Sequence, residues 1–239
     1  MEKLLAEVMI SDMAVKLDPA QYGNQRGVSI QHYLINMLQG ILKAVDKSSR
    51  RETVAVIAKM IDWNNAFPRQ CPKLGVESFI KNGVRPALIP VLVNYFQDRV
   101  TLDIPEYLSQ SSNNADFVKI SDRFKFVDDL TVLEIIDLLT VGIASYNIRA
   151  HVPSDIPIHN QYTSTPAANL KSQYYLDELS NWTKNQKMML NENKTKNLVF
   201  NFTDKYQFAT RLEVNGKKVE TLSNTKLLGT IISEDLSWD

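Results

Sequence analysis

Two adjacent aspartates interrupt an apolar run, and this feature constrains the possible fold more than any other in the chain. The run is FKFVDDLTVLEII, residues 124–136, with Asp128 and Asp129 between its two apolar halves. Buried carboxylates are costly unless they are paired or bind a cation. Aspartate is also a common turn residue. The run therefore predicts a β-hairpin with two carboxylates at its turn.

A second apolar segment, ETVAVIAKMID at residues 52–62, also ends at an aspartate. Both sets of alternate positions are nearly all apolar, which is typical of a central strand covered on both faces. Asp62 closes this strand. In an antiparallel sheet a strand end and a neighbouring hairpin tip can lie side by side, so Asp62 could meet Asp128 and Asp129.

The remaining periodicities predict an α+β fold, with a mostly antiparallel sheet and helices packed on one face. The Asn215-Gly216 pair suits the type I′ turn of a further hairpin over 211–220. We expect helices over 1–17, 28–45, 73–82, 86–98, 133–147 and 170–190, a weak helix within 101–122, strands over 196–202 and 225–232, and a loop over 151–169.

Composition narrows the functional classes. The 239 residues include 27 basic and 27 acidic side chains, which argues mildly against a wholly basic nucleic-acid-binding surface and leaves a local basic groove possible. Cys71 is the single cysteine, so we expect no disulfide-linked partner and an intracellular location, in cytoplasm or nucleus. No window of 18 uncharged apolar residues occurs, so we expect no membrane partner.

Three converging carboxylates would repel one another without protonation or a cation. Mg²⁺ prefers oxygen ligands and is the natural candidate, with Mn²⁺ as its substitute. Two such ions would clamp an in-line phosphoryl displacement. Adjacent strand residues point to opposite faces, so we expect Asp128 to bridge with Asp62 and Asp129 to be peripheral. An acidic turn without any metal remains the alternative when Asp128 and Asp129 are considered alone.

Five motifs, in order along the chain, resemble reverse transcriptases of the non-LTR retrotransposon type. FVDD resembles the Tyr/Phe-x-Asp-Asp motif, and IDWNNAF resembles the first catalytic motif, in which Ala-Phe follows the aspartate by four and five residues. The other three are QYGNQRGVSIQHYL at 21–34, LNENKTKNLVFNF at 190–202 and TKLLGTIISEDLSWD at 225–239. Together they span most of residues 18–239.

The resemblance implies an RNA-directed DNA polymerase that transfers nucleotides to a primer 3′-hydroxyl with two metal ions. Its partners would be an RNA template, a DNA primer and a deoxynucleoside triphosphate. Residues 1–50 would be partial fingers with N-terminal helices, and residues 51–239 a palm-like domain, with no thumb.

The resemblance also implies individual roles, each with an ordinary structural alternative. Asp62, Asp128 and Asp129 would be the catalytic metal ligands. The nucleotide would meet Phe67 under its sugar, Arg26 on the template or triphosphate side, and Lys194 or Lys196 near the leaving pyrophosphate. Leu227, Leu228 and Gly229 would form a primer-grip-like hairpin. The alternatives are a core aromatic, solvated basic side chains and ordinary strand packing.

One stretch departs from the family pattern. Reverse transcriptases carry a Pro-Gln-Gly turn before the Asp-Asp hairpin, whereas residues 99–123 here, RVTLDIPEYLSQSSNNADFVKISDR, contain no glycine. This departure indicates an internal deletion or a misassigned exon. The alternative function is therefore a catalytically inactive remnant of a mobile element, acting as a nucleic-acid-binding or protein-interaction domain.

Overall fold

The structure, a computed structural model, describes most but not all of the chain, and the statements below concern the described part. The described residues are 2–23, 25–47, 54–64, 71–97, 123–127, 129–138, 163–164, 171–185, 187–202, 208–209 and 212–237.

A five-stranded sheet is the centre of the fold. Its strands are β1 (Val54–Ile61), β2 (Arg123–Phe126), β3 (Asp129–Asp137), β5 (Lys196–Asn201) and β9 (Glu220–Leu222). They lie in the order β2-β3-β1-β5-β9, and all pairs are antiparallel except β5 with β9. Three two-stranded ladders complete the strands: β4 (Thr163–Ser164) with β6 (Phe208–Ala209), β7 (Glu213–Val214) with β8 (Lys217–Lys218), and β10 (Asn224–Leu227) with β11 (Thr230–Ser233).

Five α-helices are present in the described residues: α1 (Glu2–Met13), α2 (Ile30–Lys47), α3 (Pro72–Asn82), α4 (Ile89–Gln97) and α5 (Lys171–Asn185). Short 3₁₀ turns cover Ala14–Lys16 and Pro86–Leu88. Helix α3 begins with Pro72, whose fixed φ suits a first turn, and ends at Gly83, which adopts the left-handed conformation at φ 93°. These local signals explain why the sequence predicts this helix well.

Helices cover both faces of the sheet. On one face α2 packs Tyr33, Met37 and Ile41 against even-numbered β1 residues such as Val56 and Ala58. On the other face α5 packs against the odd-numbered ones; that cluster joins Tyr175, Leu176 and Leu179 to Ala55, Ile57 and Ile61. The prediction that β1 is central and covered on both faces is confirmed. The prediction of helices on one face is wrong, because each face of β1 is apolar and each needs a cover.

A third apolar cluster joins α1, α3 and α4. Its buried members are Met9, Met13, Phe79, Val84, Leu92 and Phe96. At its edge Arg85 hydrogen-bonds Asp12 through Nε and Nη2, at distances down to 2.6 Å. The N-terminal helix is thus attached to the α3–α4 pair by apolar packing and by an ion pair.

The predicted α+β class with a mostly antiparallel sheet is confirmed, and so are the helices near 1–17, 28–45, 73–82, 86–98 and 170–190. Residues 133–137 are wrongly predicted as helix, because β3 continues to Asp137 alongside all of β1. The single strand over 225–232 is also wrong, since left-handed Leu228 and Gly229, at φ 49° and 88°, form the turn of the β10–β11 hairpin.

Some predictions lie outside the described residues, namely the weak helix within 101–122, the remainder of the 133–147 helix and most of the 151–169 loop. Within that loop Thr163–Ser164 form β4, which pairs with β6. No helix in the described ranges has the length and apolar character needed to cross a membrane.

Candidate functional site

The predicted acidic hairpin is present, and its turn is conformationally unusual. Phe126 pairs with Asp129, which leaves a two-residue turn at positions 127 and 128. Val127 has φ 60°, a left-handed conformation that is uncommon for a β-branched residue. Such a conformation costs about 1–2 kcal/mol and persists where surrounding contacts impose it. Asp128 itself lies outside the described residues.

Strand register brings Asp62 to this hairpin. The β1–β3 ladder ends with Ile61 opposite Leu130, so continuing the register by one residue would set Asp62 opposite Asp129. This placement runs against the expectation that Asp129 is peripheral, and the expected bridge between Asp128 and Asp62 lies outside the described residues. Directly opposed residues of an antiparallel pair share a face, with Cβ atoms about 4.5–5.5 Å apart. Alternation along both strands assigns this pair to the face that α2 covers.

The phenol of Tyr33 provides an independent indication of the same placement. Tyr33 is fully buried in α2 and donates a hydrogen bond to Thr131 Oγ1 at 2.6 Å. Burial raises the pKa of Tyr33, the Thr131 hydrogen bond opposes this, and the Asp129 carboxylate raises the pKa further. Asp129 is half-buried and acts electrostatically on the α2 side of the sheet.

Asp62 is held by its backbone on the opposite side from β3. Its carbonyl accepts the Asn191 N–H at 2.8 Å, and Asn64 N–H donates to the Met189 carbonyl at 2.9 Å. A bridge between Trp63 and Leu190 lies between these bonds. The aspartate predicted to close β1 therefore does so, and the segment before β5 extends the sheet beside it.

The hydrogen bonding of the Asp62 carboxylate is incomplete within the described residues. Its Oδ2 is fully buried and accepts no hydrogen bond from the described residues. Lys194 Nζ lies 3.5 Å from this oxygen, close enough for an ion pair but outside hydrogen-bond geometry. Carboxylate oxygens with unused lone pairs are suitable ligands for a hard divalent cation.

Asn191 fixes the turn that carries Lys194. Its Oδ1 accepts the backbone N–H of Asn193 and of Lys194, at 3.2 and 3.3 Å. Its carbonyl accepts the N–H and the hydroxyl of Thr195, both at 2.8 Å. The sequence motif assigns this asparagine no separate role, although an Asn that opens a turn is the signal for such self-capping.

The two predicted lysines occupy different electrostatic settings. Lys194 contacts Asp62, whereas Lys196 begins β5 and pairs with Glu220 at 2.5 Å. Register places Lys196 opposite Met60. The structure therefore brings Lys194 to Asp62, one member of the acidic pair formed by Asp62 and Asp129, and engages Lys196 with another carboxylate.

The segment Ala20–Gly23 supports the hairpin from the sheet edge. Lys125 N–H donates to the Ala20 carbonyl at 2.9 Å, and Tyr22 N–H donates to the Lys125 carbonyl at 2.7 Å. Gly23 lies against the turn so closely that a Cβ there would be 2.4 Å from the Val127 nitrogen. The sequence shows the motif at 21–34 but not this contact, because the contact depends on an approach between segments about 100 residues apart.

Aromatic rings lie beneath the same hairpin. Tyr33 makes edge contacts with Phe124 and Phe126, at centroid distances of 6.1 and 6.2 Å. Tyr22 stacks on Phe124 at 6.2 Å and meets Tyr33 edge-on at 5.8 Å. Each such contact contributes about 0.5–1.5 kcal/mol beyond area burial. The cluster therefore holds the hairpin firmly against α2.

A buried charged group lies on the other side of β2. Asp18 binds Arg123 at 3.0 Å and Lys125 at 2.8 Å. Burial lowers the pKa of Lys125, although Asp18 opposes the shift. Burial also acts to raise the pKa of Asp18, but the neighbouring cations and hydrogen bonds outweigh it, and the net shift is downward. This group fixes the edge strand that begins the hairpin.

Three other predictions concern Arg26, Phe67 and the hairpin of Leu227, Leu228 and Gly229. Arg26 is exposed on the turn Gln25–Val28, and no contact in the described part of the chain joins it to Asp62 or Asp129. Phe67 lies outside the described residues. Leu227 and Leu228 belong to the apolar cluster beneath α2, and Gly229 completes their hairpin turn.

A scan against protein-family models and a search of curated proteins both returned no match for this chain.

Proposed function

We propose that the chain is a polymerase palm of the reverse-transcriptase type, which transfers nucleotides from a deoxynucleoside triphosphate to a primer 3′-hydroxyl on an RNA template. The observation that carries the proposal is the β1–β3 register, which ends with Ile61 opposite Leu130, so that the next residues, Asp62 and Asp129, come at the same end of the sheet beside the β2–β3 hairpin. Each carboxylate lies at a strand end, and the turn beside them carries left-handed Val127. Strained backbone of this kind clusters at functional sites.

The residues fit Mg²⁺, with Mn²⁺ as its substitute. Asp62 offers a buried Oδ2 that accepts no hydrogen bond from the described residues, and Asp129 adds a second carboxylate on the same face. Asp62, Asp128 and Asp129 would hold two ions. When bound, the ions would lower the pKa of the primer hydroxyl and neutralise the charge that develops on the phosphates.

The protein's own contribution is positioning and electrostatics. The aromatic cluster of Tyr22, Tyr33, Phe124 and Phe126 fixes the hairpin, and the Asn191 turn fixes the backbone of Asp62. Lys194 supplies a cation beside the acidic pair, where it would meet a triphosphate. Most of the rate of phosphoryl transfer comes from such placement.

Primer extension tests the proposal directly. Purified chain should extend a DNA primer on an RNA template in the presence of Mg²⁺, and Asp62→Asn and Asp128→Asn should each abolish extension. Asp137→Asn is the matched control: Asp137 is exposed at the far end of β3, on the same side of the strand as Asp129. Extension that survives both active-site changes would rule the proposal out.

A second candidate is nucleic-acid binding without nucleotide transfer. The observation that favours it is the stretch 99–123, which has no glycine and no Pro-Gln-Gly turn. This candidate predicts that the chain binds primer–template with an affinity that falls as salt rises, yet shows no Mg²⁺-dependent extension. Binding that is insensitive to salt would contradict it.

A further inference from the structure

Lys194 stands where a divalent cation would approach Asp62. Its Nζ lies 3.5 Å from Oδ2, the carboxylate oxygen that accepts no hydrogen bond from the described residues. The Asp62 side chain is 23% exposed, whereas that of Lys194 is 71% exposed. The ammonium therefore reaches the carboxylate from the solvent side.

An ammonium and a metal ion compete for the space and the negative charge at this oxygen. Mg²⁺ binds carboxylate oxygens at about 2.0–2.1 Å and brings its remaining waters with it. A lysine that stayed at its present distance would meet both those waters and the repulsion of a doubly charged ion. Metal binding at Asp62 therefore requires the Lys194 ammonium to move away.

The geometry makes this movement easy for the side chain and difficult for the backbone. Lysine carries its charge on a flexible four-carbon stem, and this stem is mostly in solvent. The turn beneath it is fixed by the Asn191 side chain and carbonyl. Lys196 differs, because its ammonium pairs with Glu220.

We propose that Lys194 is a displaceable counter-ion that competes with the divalent cation for Asp62. The inference rests on the proposed function, since it concerns the same metal site. The Lys194 ammonium neutralises Asp62 until a divalent cation displaces it, and this competition weakens metal binding. The displaced ammonium then faces solvent at the edge of the acidic pair, where a bound triphosphate would attract it.

Calorimetric titration of the full chain with Mn²⁺ tests the competition without any measurement of activity. We expect Lys194→Met to tighten Mn²⁺ binding about two- to fivefold, because that is the change in affinity that the loss of one competing exposed ion pair would produce. Lys194→Arg keeps the charge and should not tighten binding. Lys217→Met is the matched control, because it removes a lysine charge from the same turn, where the Lys217 ammonium hydrogen-bonds Asn193, the neighbour of Lys194, instead of pairing with Asp62.

Two results would contradict this inference and leave the proposed function unaffected. One is a Mn²⁺ affinity that is unchanged in Lys194→Met while Asp62→Asn still loses binding. The other is equal tightening by Lys217→Met, which would indicate a general field instead of competition. Asp62→Asn separates these failures from failure of the proposed function: if it binds Mn²⁺ as the unaltered chain does, there is no Asp62 site, and both proposals fall.

Discussion

Replacing Gly23 by alanine should move the acidic hairpin. The added Cβ would lie 2.4 Å from the Val127 nitrogen, 3.0 Å from Val127 Cγ2 and 3.1 Å from Gln21 Nε2. Real Cβ atoms essentially never come within 3.0 Å of another heavy atom, so the backbone must open by at least about 0.6 Å at this point. The closest atom belongs to the main chain, which cannot rotate aside.

The surroundings resist that opening. Backbone hydrogen bonds on each side of Lys125 attach Ala20 and Tyr22 to β2, so the two segments cannot separate without weakening them. Overpacking of this kind costs about 1–3 kcal/mol of unfolding free energy. The turn that must move carries Val127 and adjoins Asp129, and a misplacement of about 1 Å can cost roughly 10²-fold in rate.

Urea denaturation followed by circular dichroism measures the first effect, and primer extension measures the second. We expect Gly23→Ala to lower the free energy of unfolding by about 1–3 kcal/mol and to reduce extension more than that loss of folded protein explains. Extension should be compared where both chains are fully folded. An alanine variant as stable as the unaltered chain would refute the close-packing argument.

Gly40→Ala is the matched control because it makes the same chemical change in the same layer. Its nearest neighbour would be Leu133 Cδ1 at 3.2 Å, which is the end of a flexible side chain. Gly40 also lies within α2, where alanine is favoured over glycine by about 1 kcal/mol. The control should therefore be neutral or slightly stabilising and leave extension intact.

Two further predictions concern ion pairs away from the site. Glu134→Leu should lower the free energy of unfolding by about 3–5 kcal/mol, because it leaves the buried Lys59 ammonium without the carboxylate 3.6 Å away. Adding Lys59→Met to the same chain should restore much of that loss, as measured by urea denaturation in a double-mutant cycle. Additive effects of the two changes would contradict the coupling. Hydrogen bonds from Arg85 lower the pKa of Asp12 from 3.8 to about 2, so the pair should stabilise the fold above about pH 3.8 and lose that effect as pH falls through about 2. The stability difference between the unaltered chain and Arg85→Leu, measured by urea denaturation at successive pH values, should therefore shrink with acid; a constant difference would contradict this assignment.

Local sequence signals predict most helices and the acidic hairpin correctly. The wrong predictions are those in which pairing with a distant strand determines the structure. Residues 133–137 show helical spacing, but Thr131, Val132, Ile135 and Ile136 are β-branched, and eight β3 residues pair with β1. Periodicity alone predicts one strand over 225–232 because Leu228 is an atypical left-handed residue, whereas the resemblance implies a hairpin at Leu227, Leu228 and Gly229. A single sequence does not show that a distant strand will select the extended form.

The candidate site likewise has parts that the sequence predicts and parts that it does not. Both strand ends and the hairpin are visible in the sequence, since each combines an apolar run with a terminal aspartate. The partner of Lys59 is not visible in the sequence, because the Lys59 ammonium donates a hydrogen bond to Ser172 Oγ, 113 positions away. The Gly23 contact and the choice between Lys194 and Lys196 likewise depend on how separate segments meet.

Strand register is the property on which the acidic pair depends. Side chains alternate along each strand, so a slip of one residue between β1 and β3 would place Asp62 and Asp129 on opposite faces. The slip is prevented far from the carboxylates: β1 is apolar on both faces, and its one charged residue, Lys59, must meet Glu134 on the α5 side. Moving β3 by one position would turn Glu134 towards α2 and bury Lys59 without it. The ion pair therefore costs stability relative to an apolar core but fixes the alignment that brings two aspartates together, which is the best-attested use of buried charge.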